Sequence, residues 1–451
     1  MVVGAGLAGL TTALDLVASG WDVVVLEARD RVGGRVKTLR TPFSAGLHAE
    51  AGGESIDDGH DQLLAMLLRF GIKTERRAPL KPYDATTFVG GRRLPLAAFL
   101  AGSGGKVLTD YLRFGDAVAA LATGVDPDHP EQAANASALD AMDLGTFVKA
   151  QGLVPDADFL VRRTYGSEYN CEVGSLSMLF VAQQEAVVSS GGGLLIGAET
   201  MRVSGGNDRL PLAMAAALGD RVRLGHPVRL IEHRADGVRV HAAPSPAPAA
   251  VAPVDAAWLV LAAPVPPLRR VRFDPVLPAA VAAMIAGLDL GQAAKVVREY
   301  SLPFWSAEGV SGFTLTDLSY GVGWSPTDSY VATAGILSQF ITGDAARIAA
   351  SLPELERIDT FGAQLDRVLP EGVPLSTDRR ASMAWLNEPY TGGGYAVFQP
   401  GQMAPFWPVL REGTGRIRFA GEHTSSLAGY MESAVRSGHR AAALVGRPPP
   451  A

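Results

Sequence analysis

Three glycines near the start of the chain, Gly4, Gly6 and Gly9, stand at G-x-G-x-x-G spacing, and the acidic Glu27 closes the next apolar run. Such residues can hold a dinucleotide. Gly4 permits a tight turn, Gly6 lets a pyrophosphate approach the backbone, and Gly9 lets a helix pack on a strand. The helix behind them offers unbonded N–H groups and a positive dipole end to phosphate. Glu27 falls where a carboxylate accepts bonds from the adenosine ribose hydroxyls. Just downstream, "ARDRVGGR" sets Arg29 and Arg35 around Gly33 and Gly34. That pairing suits a flavin dinucleotide, with guanidiniums reaching phosphate and a backbone open to it, more than NAD. The other reading of the stretch is a solvated basic turn. A second candidate for chemistry is Lys295 in "GQAAKVVREYSLPFW". The stretch reads as a strand, so Lys295 shares a face with Ala293 and Val297. On the stretch alone, a charge on an edge strand is the favoured explanation. The alternative is a buried lysine with a task.

These residues need elements to position them. Val2–Val3 read as the end of a strand, the residues after Gly9 through Ala18 as a helix, and "WDVVVLE" as a buried parallel strand ending at Glu27. Strand, turn, helix, strand and acid thus occur in the order a dinucleotide fold requires. "DQLLAMLLRFG" reads as an amphipathic helix with Leu63, Leu64, Leu67 and Leu68 on the core face and Gly71 as its stop. Asp57, Asp58, His60 and Asp61 surround its start and read as capping residues rather than a metal site. "AAWLVLAAP" is a further buried strand, and "GRIRFAGEHTSSLAGYMESAVRSG" a strand, a turn and a closing helix. Gly191-Gly192-Gly193 marks a glycine-rich loop, and residues 242–254, rich in Ala and Pro, a surface loop.

With 451 residues, 47% of them hydrophobic, the chain has material for two domains. The expected class is α/β. A dinucleotide domain over residues 1–76, 204–287 and 385–451 is interleaved with an α+β substrate domain over 77–203 and 288–384. Net charge is −6, which provides no broad attraction to nucleic acid or an anionic membrane. No apolar run reaches membrane-spanning length. Cys171 is the lone cysteine, so no internal disulfide forms; it reads as a buried small hydrophobe, and the cytoplasm is the expected compartment. Only Met1, Val2 and Val3 precede the glycine turn, which suggests residues upstream of this sequence.

Taken together, "VVGAGLAGL", "LEARDRVGGR", "EAGG", "AAKVVREYSLPFW", "WLNEPYTGGGY" and "FAGEHTSSLAGYMESAVRSG" resemble the flavin-dependent amine oxidases over nearly the whole chain. That group includes monoamine, polyamine, putrescine and L-amino acid oxidases. The resemblance implies a glutathione reductase-type FAD-binding domain of Rossmann-like fold. It implies that Gly4, Gly6, Gly9, Glu27, Arg29, Gly34 and Arg35 hold the ADP portion, and that the Val228 backbone contacts adenine. Gly52, Gly53 and Glu54 join the flavin's surroundings. Gly421 and Glu422 meet the pyrophosphate and ribityl chain. Tyr430 and Met431 lie beside the pyrimidine ring, at the N-terminal end of the last helix. Trp385 packs on the flavin. Tyr395 and Tyr430 correspond to the aromatic pair that flanks the substrate amine, where π faces attract a polarised or cationic nitrogen by about 0.5–2 kcal/mol. Such a cage leaves no strong acceptor to keep the amine protonated. Lys295 corresponds to a lysine that reaches flavin N5 through a water and assists dioxygen.

Two departures refine the reading. Gly394 stands where covalently flavinylated monoamine oxidases have cysteine, so FAD is expected to bind non-covalently. In "GGES", Glu54 and Ser55 stand where several amino acid oxidases place a carboxylate-clasping arginine. Arg202 is a possible substitute for that arginine, and Glu54 could greet a cationic group or bond to flavin or backbone. The expected function is therefore FAD-dependent amine oxidation: hydride leaves the carbon next to nitrogen for flavin N5, an imine forms, and dioxygen becomes hydrogen peroxide. The expected partners are a small amine and O2. A homodimer is one option for assembly. The rival readings are oxidation of a complex amine or amide in secondary metabolism, an L-amino acid oxidase, and a flavoprotein without turnover. "SEYNCEVGSLSMLF" is expected to line or support the substrate pocket.

Overall fold

The β-branched runs at Val2–Val3 and Val25–Leu26 lie side by side as parallel strands, and helix Leu7–Ala18 makes the crossover between them. Parallel neighbours need such a crossover, and helices then cover the sheet's faces. The computed structural model describes residues 1–77, 85–191, 200–243, 252–307, 311–328 and 333–446. Gly192-Gly193 and residues 244–251 of the alanine–proline stretch lie outside them. Among the described residues the parallel sheet has five strands, in the order Ile417–Phe419, Leu259–Leu261, Val2–Val3, Val25–Leu26, Val222–Arg223. Its strands come from the start, the middle and the end of the chain. The closing helix, Met431–Val445, crosses Leu7–Ala18 closely at Gly438, where a Cβ would stand 2.6 Å from the Ala8 carbonyl oxygen. Leu10, Leu14, Leu210, Met214 and Val435 fill the core between helices and sheet.

A second sheet has, among the described residues, seven strands in the order Ser376–Ala384, Ala293–Tyr300, Gly335–Thr342, Val322–Trp324, Thr314–Thr316, Thr86–Val89, Arg92–Pro95. Its neighbours are antiparallel except for Thr314–Thr316 beside Thr86–Val89. The Lys295 strand therefore pairs on both sides: Lys295 stands opposite Phe340 on one neighbour and Met383 on the other. It is not an edge strand, and the edge-charge explanation fails. Helices Lys106–Ala122, Pro155–Tyr169 and Met178–Gly191 form a separate layer.

Two local expectations need correction. Helix Asp61–Arg69 buries Leu63, Met66 and Leu67, but Leu68 is 81% exposed. A nine-residue helix on one flat contact buries a narrow stripe, and Leu68 turns away from it. Nor do the nearby acids cap this helix. The N–H groups of Gln62 and Leu63 donate to Glu432 of the closing helix, at 3.2 and 2.6 Å. Gly71, with φ +64°, ends the helix as its type suggests. Cys171 is half-buried against the core. Among the described residues no helix is long and apolar enough to cross a membrane.

Candidate active site

One cavity of about 1380 Å³ runs from the glycine turn to the Lys295 strand. At the turn, Gly4 takes φ +105°, and a Cβ there would meet the Ala262 carbonyl oxygen at 2.8 Å. A Cβ on Gly6 would meet nothing closer than Gly34 Cα at 4.0 Å, so the backbone faces open space. Gly9 stands apart from the cavity wall, and its Cβ would fall 1.9 Å from the Gly4 carbonyl oxygen. It serves packing, as its place in the spacing suggests. The first turn of helix Leu7–Ala18 has no side-chain cap, which leaves its N–H groups for a ligand.

Around this turn the wall is charged and tied together. Glu27 accepts hydrogen bonds from the N–H groups of Ala5 (2.7 Å) and Arg29 (2.9 Å). The Arg29 guanidinium donates to Glu388 at 3.1 Å and to the Thr391 hydroxyl at 2.6 Å. Arg35 donates to Glu422 at 2.7 Å, and Glu422 also accepts from the N–H groups of Ala396 and Gly429. Glu27, Arg29, Gly34, Arg35, Gly421 and Glu422 all line the cavity, as does Val228. Both arginines thus hold carboxylates while facing the cavity.

At the far end, one face of the seven-stranded sheet is the wall. Ala293, Lys295, Phe340, Val322 and Trp324 line it, and they lie on that face through the register Lys295–Phe340–Val322. Lys295 is 5% exposed. Its Nζ donates to Glu54 Oε2 at 2.8 Å and to the carbonyls of Glu50 and Gly52 at 3.0 and 3.2 Å. It also lies 5.1 Å from the Trp324 ring centroid and 5.9 Å from that of Phe340. Trp324 Nε1 donates to the other Glu54 oxygen at 2.8 Å. Burial alone would raise the Glu54 pKa, but Lys295, Arg202 and Arg77 outweigh it and hold it at about 2. Glu50, buried nearby, shows the uncompensated case. Burial pushes it up to about 7, against hydrogen bonds from Asn207 and Thr38.

Glu54 is thus the partner of Lys295. Arg202 is not on the cavity wall; it is buried between Glu54 (3.8 Å) and Asp328 (3.1 Å). The expectation that it supplies a carboxylate clamp therefore fails. Gly52 is glycine because a Cβ would stand 1.8 Å from the Arg35 carbonyl oxygen and 2.9 Å from the Trp385 ring. Trp385 donates to the Ala51 carbonyl at 2.8 Å, which fixes the indole on the wall. Asn207 donates to the carbonyls of Gly53 (2.9 Å) and Glu54 (2.8 Å) and so pins this segment.

Tyr395 and Tyr430 both line the cavity. Gly429 lies against the Tyr395 ring, where a Cβ would come within 3.2 Å. Tyr430 is the N-cap of the closing helix and Met431 its first residue. The Tyr430 hydroxyl donates to Glu168 Oε1 at 3.0 Å. The Glu168 charge, burial and that hydrogen bond together keep the phenol far above its ordinary pKa. Sequence reasoning missed this acid, and it corrects the idea of a cage without a strong acceptor. Its signal was weak: Glu168 sits in "SEYNCEVGSLSMLF", from which Ser167 and Glu168 reach the wall. Trp324 and Phe340 were also missed, since only strand register brings them to Lys295.

A family profile described as flavin-containing amine oxidoreductase matches residues 7–446. The chain belongs to that family. It is a flavin-dependent oxidoreductase acting on amines, with an α/β fold of the flavin-binding kind. Among its relatives is a putative flavin-containing monoamine oxidase, AofH, of Mycobacterium tuberculosis H37Rv, 33% identical over 99% of this chain and 96% of that one. An L-amino acid dehydrogenase of Synechocystis is 26% identical over 99% of this chain and 94% of its own length. Among solved structures, cyclohexylamine oxidase from Brevibacterium oxydans superposes with a TM-score of 0.85 at 27% identity, over 98% of this chain and 97% of its own. Putrescine oxidase bound to putrescine gives a TM-score of 0.87 at 27% identity over the same shares of each chain. This family member thus shares its fold with oxidases of both a cyclic and a linear amine.

Proposed function

We propose that the protein binds FAD non-covalently and uses it to oxidise a small, partly apolar amine, passing the electrons to dioxygen to give hydrogen peroxide. The residues fit the cofactor on physical grounds. The turn at Gly4 and Gly6 is open where a pyrophosphate would lie, an uncapped helix N-terminus faces it, and Glu27 lines the same cavity. Gly4, Gly6, Glu27, Arg29, Gly34, Arg35 and Val228 would hold the ADP portion. Gly421, Glu422 and Met431 would hold the pyrophosphate, ribityl chain and pyrimidine edge, with Gly52, Gly53, Glu54 and Trp385 around the ring. Gly394 offers no side chain for a covalent link, and a Cβ there would stand 2.6 Å from Asn170 Nδ2.

When bound, FAD supplies the two-electron oxidation of the amine and the return of those electrons to oxygen. The chain's own residues do the rest. Tyr395 and Tyr430 flank and orient the amine through their π faces. Leu96, Leu100, Leu108 and Leu112 line the cavity, and the last two are 41% and 50% exposed, which suits an apolar body entering there. Lys295 keeps a positive charge fixed at the wall, where negative charge develops on reduced oxygen. Segments 1–76, 204–287 and 385–451 form the FAD domain in this reading, and 77–203 and 288–384 the substrate domain. The single cysteine favours a cytoplasmic location.

The observation that carries this reading is the convergence of the glycine turn, Lys295, Trp385, Tyr395 and Tyr430 on one cavity. Anaerobic mixing of the FAD-loaded protein with linear, cyclic and aromatic amines tests it. Bleaching of the flavin band, followed by peroxide when air is admitted, is the expected outcome. A flavin that no amine bleaches would overturn it.

A further inference from the structure

We propose that Glu168 makes the tyrosine end of the cavity selective for cationic and N–H-donating groups, so that the enzyme accepts amines and excludes those bearing an α-carboxylate. The inference rests on the functional reading above and narrows its substrate class. A phenol has one proton to donate. Tyr430 gives it to Glu168, at 3.0 Å, so only its oxygen lone pairs face a ligand. The ring cannot swing freely either, because His60 meets it edge-on with centroids 5.2 Å apart. Glu168 itself stands in the last turn of helix Pro155–Tyr169, which ends at Asn170 in the left-handed conformation, φ 56°. An acid there opposes the helix dipole, whose negative end lies at the C-terminus. That position is unfavourable for the helix, yet the carboxylate lines the cavity.

Carboxylate, acceptor hydroxyl and helix C-terminus thus present the same sign of potential to a substrate. An amine is welcomed there, and a substrate carboxylate meets like charge. Arg77 and Lys295 on the wall already face carboxylates, Asp328 at 3.2 Å and Glu54 at 2.8 Å, and Arg202 lies off the wall beside Asp328 at 3.1 Å.

The test compares phenethylamine with L-phenylalanine, which differ by the α-carboxylate, on the FAD-loaded enzyme. It also measures binding of benzoate, a carboxylate that is not oxidised, through its perturbation of the flavin spectrum. In Glu168→Gln, which keeps an acceptor for Tyr430 but no charge, the amine-to-amino-acid ratio of kcat/KM should fall by about tenfold or more. The change should be carried by the KM of the amino acid, and benzoate should bind about tenfold more tightly. Tyr430→Phe keeps the charge and should still reject benzoate; Glu168→Asp should restore rejection. A Glu168→Gln enzyme that retains FAD but leaves both the ratio and benzoate binding unchanged overturns the proposal. Failure of phenethylamine and every other amine to bleach the wild-type flavin counts instead against the functional reading, while the benzoate titration still reads Glu168.

Discussion

Lys295 and Glu54 are joined by a buried bond of 2.8 Å, and altering either leaves the other a buried charge without its shortest ionic partner. Removing one partner of such a pair costs about 3–5 kcal/mol, because the remaining charge is left buried. Lys295→Met is therefore expected to slow flavin reoxidation in stopped-flow mixing with oxygen and also to lower the melting temperature. Adding Glu54→Gln should recover much of the lost stability and none of the reoxidation rate. Recovery of both would reduce Lys295 to a structural charge. Glu50 gives a prediction of opposite sign to an ordinary salt-bridged acid. Its carboxyl is raised from 4.5 to about 7 by burial, so between those values the folded state holds a proton that the unfolded state releases. Stability should therefore fall as pH rises from about 5 to 7, by up to about 3 kcal/mol at 1.36 kcal/mol per pKa unit. Glu50→Gln should flatten that decline in melts taken across the range. At this scale much of the site was hidden from the sequence. The Lys295–Glu54 and Tyr430–Glu168 bonds join residues 241 and 262 positions apart. Nothing local marks either acid as a partner.

The local elements were far more legible, because each is written in a short window. The glycine turn, its helix and the strand ending before Glu27 follow from spacing and apolar runs. The closing strand, turn and helix at residues 417–445 were legible in the same way. What the windows could not contain was register. Whether Lys295 lay on an edge depended on two strands, Gly335–Thr342 and Ser376–Ala384, that only the folded sheet sets beside it. Likewise the cap of helix Asp61–Arg69 came from Glu432, in another helix, despite four polar candidates at hand. The glycine turn also separates two kinds of glycine. Gly6→Val points a side chain toward open cavity, so the apoprotein should keep its melting temperature but bind its flavin about tenfold or more weakly, read as flavin absorbance per chain. Gly9→Val drives a Cβ to within 1.9 Å of backbone and should cost about 3 kcal/mol or more in unfolding experiments, cofactor or none.

The whole molecule is held around the cavity by contacts between distant segments. Arg35 and Glu422 tie the first segment to the last, and Asn207 ties the middle of the chain to Gly53 and Glu54. A ligand that touches all three should stabilise them together. Removing the flavin cofactor is expected to raise amide exchange at residues 4–9, 33–36, 52–54 and 421–431 in concert. Restoring it at about a thousandfold over its dissociation constant should return about 4 kcal/mol. Exchange confined to one segment would mean that the cofactor does not bridge them. The five-stranded sheet carries one more implication, which concerns time. Its strand Ile417–Phe419 is made after the other four strands, and the wall residues Gly421, Glu422, Tyr430 and Met431 after the rest of the site described above. A nascent chain can form the glycine turn early, but it cannot enclose a flavin until the closing helix has emerged. Cofactor capture therefore waits for the closing helix, and a ribosome stalled before residue 417 should hold a chain that retains no flavin.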